Sequence, residues 1–317
     1  SHFCVASVSE GIELRRHGVK GEILILGYTA EERFRELWDY RLTQTVVDAS
    51  YGEILAKSKR RILVHVGVDT GMHRLGETWK NLDRIAAIWE KKNLTVTGVF
   101  SHLSAPDGNT PEEVAFTKEQ IRRFDEITAG IRKRGISGFK THLQGSYGIL
   151  NYPECSYDFA RPGIAIYGVK SRADDDTKMP FEGKPVLSLK ARVQCVKELE
   201  EGETAGYGLA FTAKKKSRIA VLSVGYADGI PREIAGAGSV LLRGERAPIV
   251  GKICMDQMFV DVTELHLSEQ IGPYDEAVLI GESGELSISA EEFAGFAGTI
   301  TNEILSRLGE RLERCVC

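Results

Sequence analysis

Between residues 3 and 168, short β-branched apolar runs alternate with amphipathic stretches, and this alternation leaves few folds open. Strands are expected at 3–7 (F-C-V-A-S), 22–27 (E-I-L-I-L-G), 43–48 (T-Q-T-V-V-D), 61–69 (R-I-L-V-H-V-G-V-D), 96–103 (V-T-G-V-F-S-H-L), 140–145 (K-T-H-L-Q-G) and 158–168 (D-F-A-R-P-G-I-A-I-Y-G). Runs this apolar are buried on both faces, as in a parallel sheet covered by helices. The expected fold is α/β, a TIM-type (β/α)8 barrel. Seven units fall one short of the closed barrel of eight, so the first strand is expected to precede Ser1. The segment Phe3 to Ala6 then reads as a cut edge.

Helix signals lie between these runs. Thr29 with Glu32, and Thr110 with Pro111 and Glu113, have the spacing of capping boxes. Trp79, Leu82, Ile85, Ala86 and Trp89 share one apolar face, as do Ile121, Phe124, Ile127 and Ile131, and core packing is the expected role of both sets. From about residue 181 the pattern changes to alternating strands with glycine turns, at 187–196, 217–224, 247–262 and 276–281. Two domains follow, a barrel over 1–180 and a C-terminal β-rich domain over 181–317, with the polar stretch 171–178 as linker. Ser289 and Glu292 cap a short helix, and the segment from Thr301 to about Glu313 is expected to be helical.

The 41 basic and 45 acidic side chains are spread along the chain, so neither a nucleic-acid stripe nor an acidic arm is expected. The cysteines at 4, 155, 195, 254, 315 and 317 make no C-x-x-C pair and no zinc-spaced cluster. No metal is expected, the thiols read as those of a cytoplasmic domain, and any membrane anchor would lie upstream of Ser1. Chemistry on a small molecule is favoured.

In a barrel of this kind reactive groups gather where strands end and loops begin. Arg74, His102, His142, Ser146 and Arg161 fall there. Singly each has an ordinary alternative: Arg74 as a surface ion pair, either histidine as a satisfied core group. Together they form a coherent set.

Four stretches sharpen that set: D-T-G-M-H-R-L-G (69–76), R-P-G-I-A-I-Y-G (161–168), S-V-G-Y-A-D-G-I-P-R (223–232) and G-K-I-C-M-D-Q (251–257), with G-Y-G-L-A-F (206–211) as a fifth. In this order the chain resembles the alanine racemase family over nearly its whole length. The resemblance implies pyridoxal phosphate as cofactor and a two-base racemisation of a small amino acid. Arg161 would donate to the cofactor's pyridine nitrogen. A guanidinium stays charged and keeps that nitrogen unprotonated, which favours return of the α-proton over transamination. Ser146 with the backbone amides of Gly163 and Ile164 would cradle the phosphate, and His142 would be a further cofactor-binding residue. Gly145 stands where the family more often has asparagine. Tyr207 matches the catalytic tyrosine, with His102 as its relay, because a phenol of pKa near 10 needs help near neutrality. Arg74 and the Met255 amide would bind the substrate carboxylate, and Tyr226 and Asp256 would line the entry. Tyr207 would reach the site from a second subunit, which implies a homodimer with shared sites.

Three departures stand out. The family's cofactor lysine would precede Ser1, and Lys140 opens its strand at the wrong end of a barrel to replace it. Gly67 stands seven residues before Arg74, where many members carry a carbamylated lysine, so Arg74 is expected to be held by water or an anion. Asn302, in T-I-T-N-E-I-L (299–305), replaces a tyrosine. An amide there opens space and both donates and accepts, which suits a hydroxymethyl side chain. Serine is therefore expected beside alanine, as in the membrane-tethered serine/alanine racemases of vancomycin resistance, which supply D-amino acid for peptidoglycan precursors. Competing readings are an alanine-only racemase, a non-catalytic cofactor-binding module, and a decarboxylase of related fold. The last uses a carboxylate at the pyridine nitrogen and a glycine-rich phosphate loop, and neither is visible here.

Overall fold

Six of the expected apolar runs pair as parallel strands in the computed structural model, which describes residues 2–316. They are β1 (His2–Val5), β2 (Glu22–Ile25), β3 (Thr43–Val46), β4 (Ile62–Asp69), β6 (Leu94–Phe100) and β7 (Lys140–His142), adjacent in that order, with the two-residue β5 (Glu77–Thr78) beside the end of β4. The chain divides into two compact units, Ser1–Gly163 with Asp176–Phe181, and Ile164–Asp175 with Glu182–Cys317. Residues 171–175 of the expected linker go with the second unit and 176–178 with the first.

The helices of the first unit follow from their caps. Ser7 caps α1 (Val8–Arg16) through the Glu10 amide, α2 spans Phe34–Asp39, and Asp48 caps α3 (Ala49–Ala56) through the Tyr51 amide. Asn81 caps α4 (Leu82–Ala86), and α6 spans Ser146–Asn151. Thr110 and Glu113 form the full reciprocal box that opens α5 (Pro111–Lys133). Phe124, Ile127 and Ile131 of α5 are buried with Ile23, Ile25, Val64, Val66 and Val99 of the strands, each such side chain contributing about 1.5–3 kcal/mol relative to exposure.

Two expectations fail in this unit. Thr29 is no cap, because its hydroxyl donates to Gln44 Oε1 at 2.6 Å, and the chain enters α2 through a 3-10 turn at Glu31–Arg33. The expected strand 158–168 shrinks to one parallel bridge between Phe159 and His142. Pro162 has no N–H to extend the ladder, and Ile164–Tyr167 turns into a 3-10 helix. The sheet is therefore six strands and a bridge, with the His2 ring 4.4 Å from that of Phe159.

The second unit is antiparallel. Its strands are β8 (Leu189–Leu199), β9 (Thr204–Ala205), β10 (Phe211–Thr212), β11 (Ser217–Leu222), β12 (Ser239–Leu242), β13 (Glu245–Val250), β14 (Met258–Asp261), β15 (Glu276–Ser283) and β16 (Leu286–Ile288). The order β12-β13-β14-β11-β8-β15 closes on itself where β12 also pairs β15, and a closed ring leaves few edges exposed. The run 247–262, expected as one strand, breaks at Gly251 into β13, a loop and β14, so that G-K-I-C-M-D-Q becomes the loop. Ser289 caps α7 (Ala290–Phe296) as expected. Helix α8 stops at Arg307 rather than near Glu313, because Gly309 gives its N–H to the Asp228 carbonyl. Cys317 lies outside the described residues, and the five described cysteines are free. Among the described residues no helix is long and apolar enough to cross a membrane.

Candidate active site

Polar side chains inside the first unit form a line. Glu22 opens β2 and faces His65 on β4, Oε1 to Nε2, at 3.4 Å. His65 Nδ1 lies 2.8 Å from Nε2 of His142 on β7, and His142 Nδ1 lies 2.6 Å from Nη1 of Arg161. Arg161 Nη2 donates to the carbonyls of Ser101 (2.7 Å) and Leu143 (3.0 Å) and lies 3.2 Å from His102 Nδ1.

A guanidinium only donates, and this sets every tautomer along the line. His142 accepts at Nδ1, so Nε2 carries its proton and donates to His65. His65 in turn donates from Nε2 to Glu22. By the same logic His102 accepts at Nδ1 and carries its proton on Nε2. The hydrogen bond from His65, outweighing burial, holds the Glu22 carboxyl below its ordinary value. Burial, then the charge of Arg161, pulls His142 down to about 2, and burial, Arg161 and Arg74 pull His102 down to about 4. Both imidazoles are neutral at pH 7. Burial lowers Arg161 to about 10, where it is still a cation.

Nε of Arg161 donates to no described residue, although both terminal nitrogens are engaged. Nearby, the Gly163 amide donates to Ser146 Oγ at 2.9 Å, and a Cβ built on Gly163 would meet only that oxygen, at 4.0 Å. Gly145 lies close to both His102 and Arg161, and Ile164 follows Gly163 directly in the chain.

Arg74 sits in the loop after β4. Asp69 shapes that loop by accepting from the amides of Gly71 and His73. Gly76 closes it with its N–H on the Val47 carbonyl at 2.7 Å, and its φ of 118° and the Asp69 amide, 2.5 Å from a built Cβ, admit only glycine. Arg74 is exposed and has no hydrogen bond to a described residue. At Gly67 a side chain would start 3.3 Å from the Val46 carbonyl and 3.5 Å from Gly76 Cα, a tight passage.

In the second unit Tyr207 stands at the tip of the β9–β10 hairpin, in the 3-10 turn Tyr207–Leu209, and is 70 % exposed. Two further loops are stitched together: the Tyr226 and Ala227 amides donate to the carbonyls of Cys254 and Met255, both at 3.0 Å. A Cβ on Gly225 would fall 2.3 Å from the Met255 carbonyl, so this approach requires glycine. Arg311 pairs with Asp228 at 3.3 Å and Asp256 at 2.7 Å, pinning both loops. Tyr226, Met255 and Asp256 thus come together, and the Met255 amide donates to no described residue. Asn302, exposed at the start of α8 (Thr301–Arg307), accepts from Ser171 Oγ at 2.8 Å through Oδ1 and has no hydrogen bond to that cluster.

Glu22 and His65 were not among the expected site residues. The signal available was a lone histidine within an otherwise apolar buried strand, R-I-L-V-H-V-G-V-D.

A family model of the alanine racemase N-terminal domain matches residues 1–171, and one of the C-terminal domain matches residues 186–316. The chain belongs to the alanine racemase family. It is 42% identical to an amino-acid racemase of Enterococcus faecalis and 38% identical to a serine/alanine racemase of Enterococcus gallinarum, with 98% of this chain and 43% of the relative covered in each case. The chain thus spans less than half the length of these relatives. The alanine racemase of Bacillus anthracis with bound L-Ala-P superimposes with a TM-score of 0.89 at 27% identity, over 98% of this chain and 79% of that one.

Alanine racemases depend on pyridoxal phosphate. The residues gathered in the first unit fit its ring and phosphate: an undonated Nε–H on a fixed cation suits a ring nitrogen, and a hydroxyl beside an unhindered glycine amide suits a phosphate. An amine for its aldehyde is not in this set. Lys140, at the start of β7, is paired with Asp158 at 3.0 Å.

Proposed function

We propose that this chain is the catalytic part of a pyridoxal-phosphate-dependent racemase acting on alanine and serine, a source of D-amino acid for peptidoglycan precursors. The observation that carries the reading is Arg161, a cation fixed through both terminal nitrogens with Nε–H left to donate. Bound pyridoxal phosphate supplies the electron withdrawal that acidifies the amino acid's α-hydrogen.

Arg161 would hold the ring nitrogen without giving up its proton, and His142, His65 and Glu22 keep the guanidinium in place. Ser146 with the Gly163 and Ile164 amides would hold the phosphate once the Ser146–Gly163 bond is exchanged. Arg74 and the Met255 amide would bind the substrate carboxylate, with Tyr226 and Asp256 at the entry. Tyr207, contributed by a second subunit of a homodimer, would take or return the α-proton at its phenolic oxygen. Because His102 accepts from Arg161 at Nδ1, its Nε2–H is available to stabilise the phenolate. Asn302, with Oδ1 engaged by Ser171, keeps its NH2 group to donate to a substrate hydroxyl.

The test is α-hydrogen exchange of L- and D-alanine and L- and D-serine in deuterated water, catalysed by the complete gene product. Exchange with inversion supports the racemase. Cofactor binding without exchange supports a second reading, a non-catalytic binding module. Within the racemase reading, Asn302→Tyr should lower the serine-to-alanine ratio of kcat/KM by about tenfold, and an unchanged ratio overturns the assignment of Asn302.

A further inference from the structure

One face of α5 interrupts its apolar stripe with polar groups that the proposed chemistry does not use. Thr117 and Gln120 are wholly buried, and Arg123 follows at the same spacing. Gln120 Nε2 donates to Thr70 Oγ1 at 3.3 Å and to the His102 carbonyl at 3.2 Å, while Oε1 accepts from the Ser104 amide at 2.9 Å. Thr70 Oγ1 is 2.8 Å from Ser101 Oγ, and Arg123 Nη1 donates to the Thr70 carbonyl at 2.9 Å while its guanidinium covers the Trp79 ring. Thr117 Oγ1 donates to the Ala105 carbonyl at 2.9 Å.

These bonds tie two loops to one rigid helix: 69–76, which carries Arg74, and 101–105, which carries His102. A buried amide is strongly unfavourable unless all its bonds are made, and three bonds from one side chain hold two loops at once. The lower part of the same helix face, Phe124, Ile127 and Ile131, belongs to the apolar core. A hydrocarbon at position 120 would leave the Ser104 amide and the His102 carbonyl without these bonds.

We infer that Gln120 is a positioning residue that locks the Arg74 loop and the His102 loop to α5 as one unit. The inference rests on the roles proposed above only in that it names what is positioned. The lock itself is a property of the fold.

The experiment is hydrogen exchange on the complete protein and on Gln120→Met, Gln120→Glu and Phe124→Leu. Gln120→Met should speed exchange in both 69–76 and 101–105 by about tenfold, the worth of a buried hydrogen bond. Phe124→Leu, matched to it in thermal stability, should leave both loops as they were. Gln120→Glu keeps the acceptor for Ser104 and loses both donors, so the Ser104 amide should stay protected while 69–76 opens. Unchanged loops in Gln120→Met, a response in one loop alone, or an equal response in Phe124→Leu overturns the inference. If Gln120→Met fails to fold, the Gln120→Glu pattern decides. In the active complete enzyme Gln120→Met should also raise KM for alanine. Loop opening without catalysis in any variant or the parent would sustain the lock and refute the racemase reading.

Discussion

The two units present polar groups in opposite ways. In the first, Glu22, His65, His142 and Arg161 are joined in line, each proton position dictated by its neighbour, with both histidines buried and a cation at the end. In the second, Tyr207, Tyr226 and Met255 project from loop tips with much of their surface exposed. The difference separates preorganisation from presentation. A buried line needs no partner to set its charge, whereas exposed loop groups acquire a chemical role only when something is brought against them.

The largest effect should come from the presented side. Tyr207→Phe in the complete enzyme should lower racemisation by about 10²–10⁴, the range of a lost general base, with Tm almost unchanged because the ring is exposed. Wild-type kinetics in that variant would remove Tyr207 from the chemistry. If Tyr207 comes from a partner subunit, specific activity should also fall on dilution, alongside dissociation in analytical ultracentrifugation.

The buried side should show next, in stability. His142→Leu strips His65 and Arg161 of a partner each, and urea unfolding should register a loss of about 3 kcal/mol. A loss confined to cofactor affinity would mean that the line serves the ligand and not the fold.

The pH dependence sharpens the same contrast. His102 is held neutral in the folded state down to about 4, while in the unfolded chain it takes up a proton near its ordinary 6.5. Its contribution to stability is therefore complete above 6.5 and is lost as pH falls toward 4, with a slope of at most about 1.4 kcal/mol per pH unit. Urea midpoints measured from pH 7 to 4.5 should fall less steeply in His102→Gln, and parallel curves would show that His102 takes up its proton at the same pH in the folded and the unfolded chain.

The smallest change should come from Arg311→Ala. Its two ion pairs are solvent-accessible on the arginine side, so the urea midpoint should shift less than in His142→Leu in the same unfolding assay.

Much of this could be read along the chain. Period and composition marked the apolar runs of the parallel sheet, and T-P-E-E at 110–113 marked the start of the longest helix, because both signals are local. The misreadings also had local causes. R-P-G-I at 161–164 has the apolar character of a strand, but Pro162 cannot donate to one, and 247–262 has strand alternation across a glycine that turns back with φ of 64°. Thr29 has the spacing of a cap and spends its hydroxyl on Gln44, a partner fifteen residues away.

Arg74, Arg161 and Tyr207 could be named from motifs, since a motif is a short stretch whose residue types are constrained together, and His102 from its place at the end of a strand. What they are bonded to could not. His65 and His142 are separated by 77 positions, and Gln120 and Thr70 by 50. No local pattern encodes such a pair, because a hydrogen bond is chosen by which atoms the folded sheet and helix bring within about 3 Å. The sequence determined the elements and the identity of the reactive groups, and the tertiary structure decided which nitrogen of each histidine holds its proton and which donor of Arg161 is left to use.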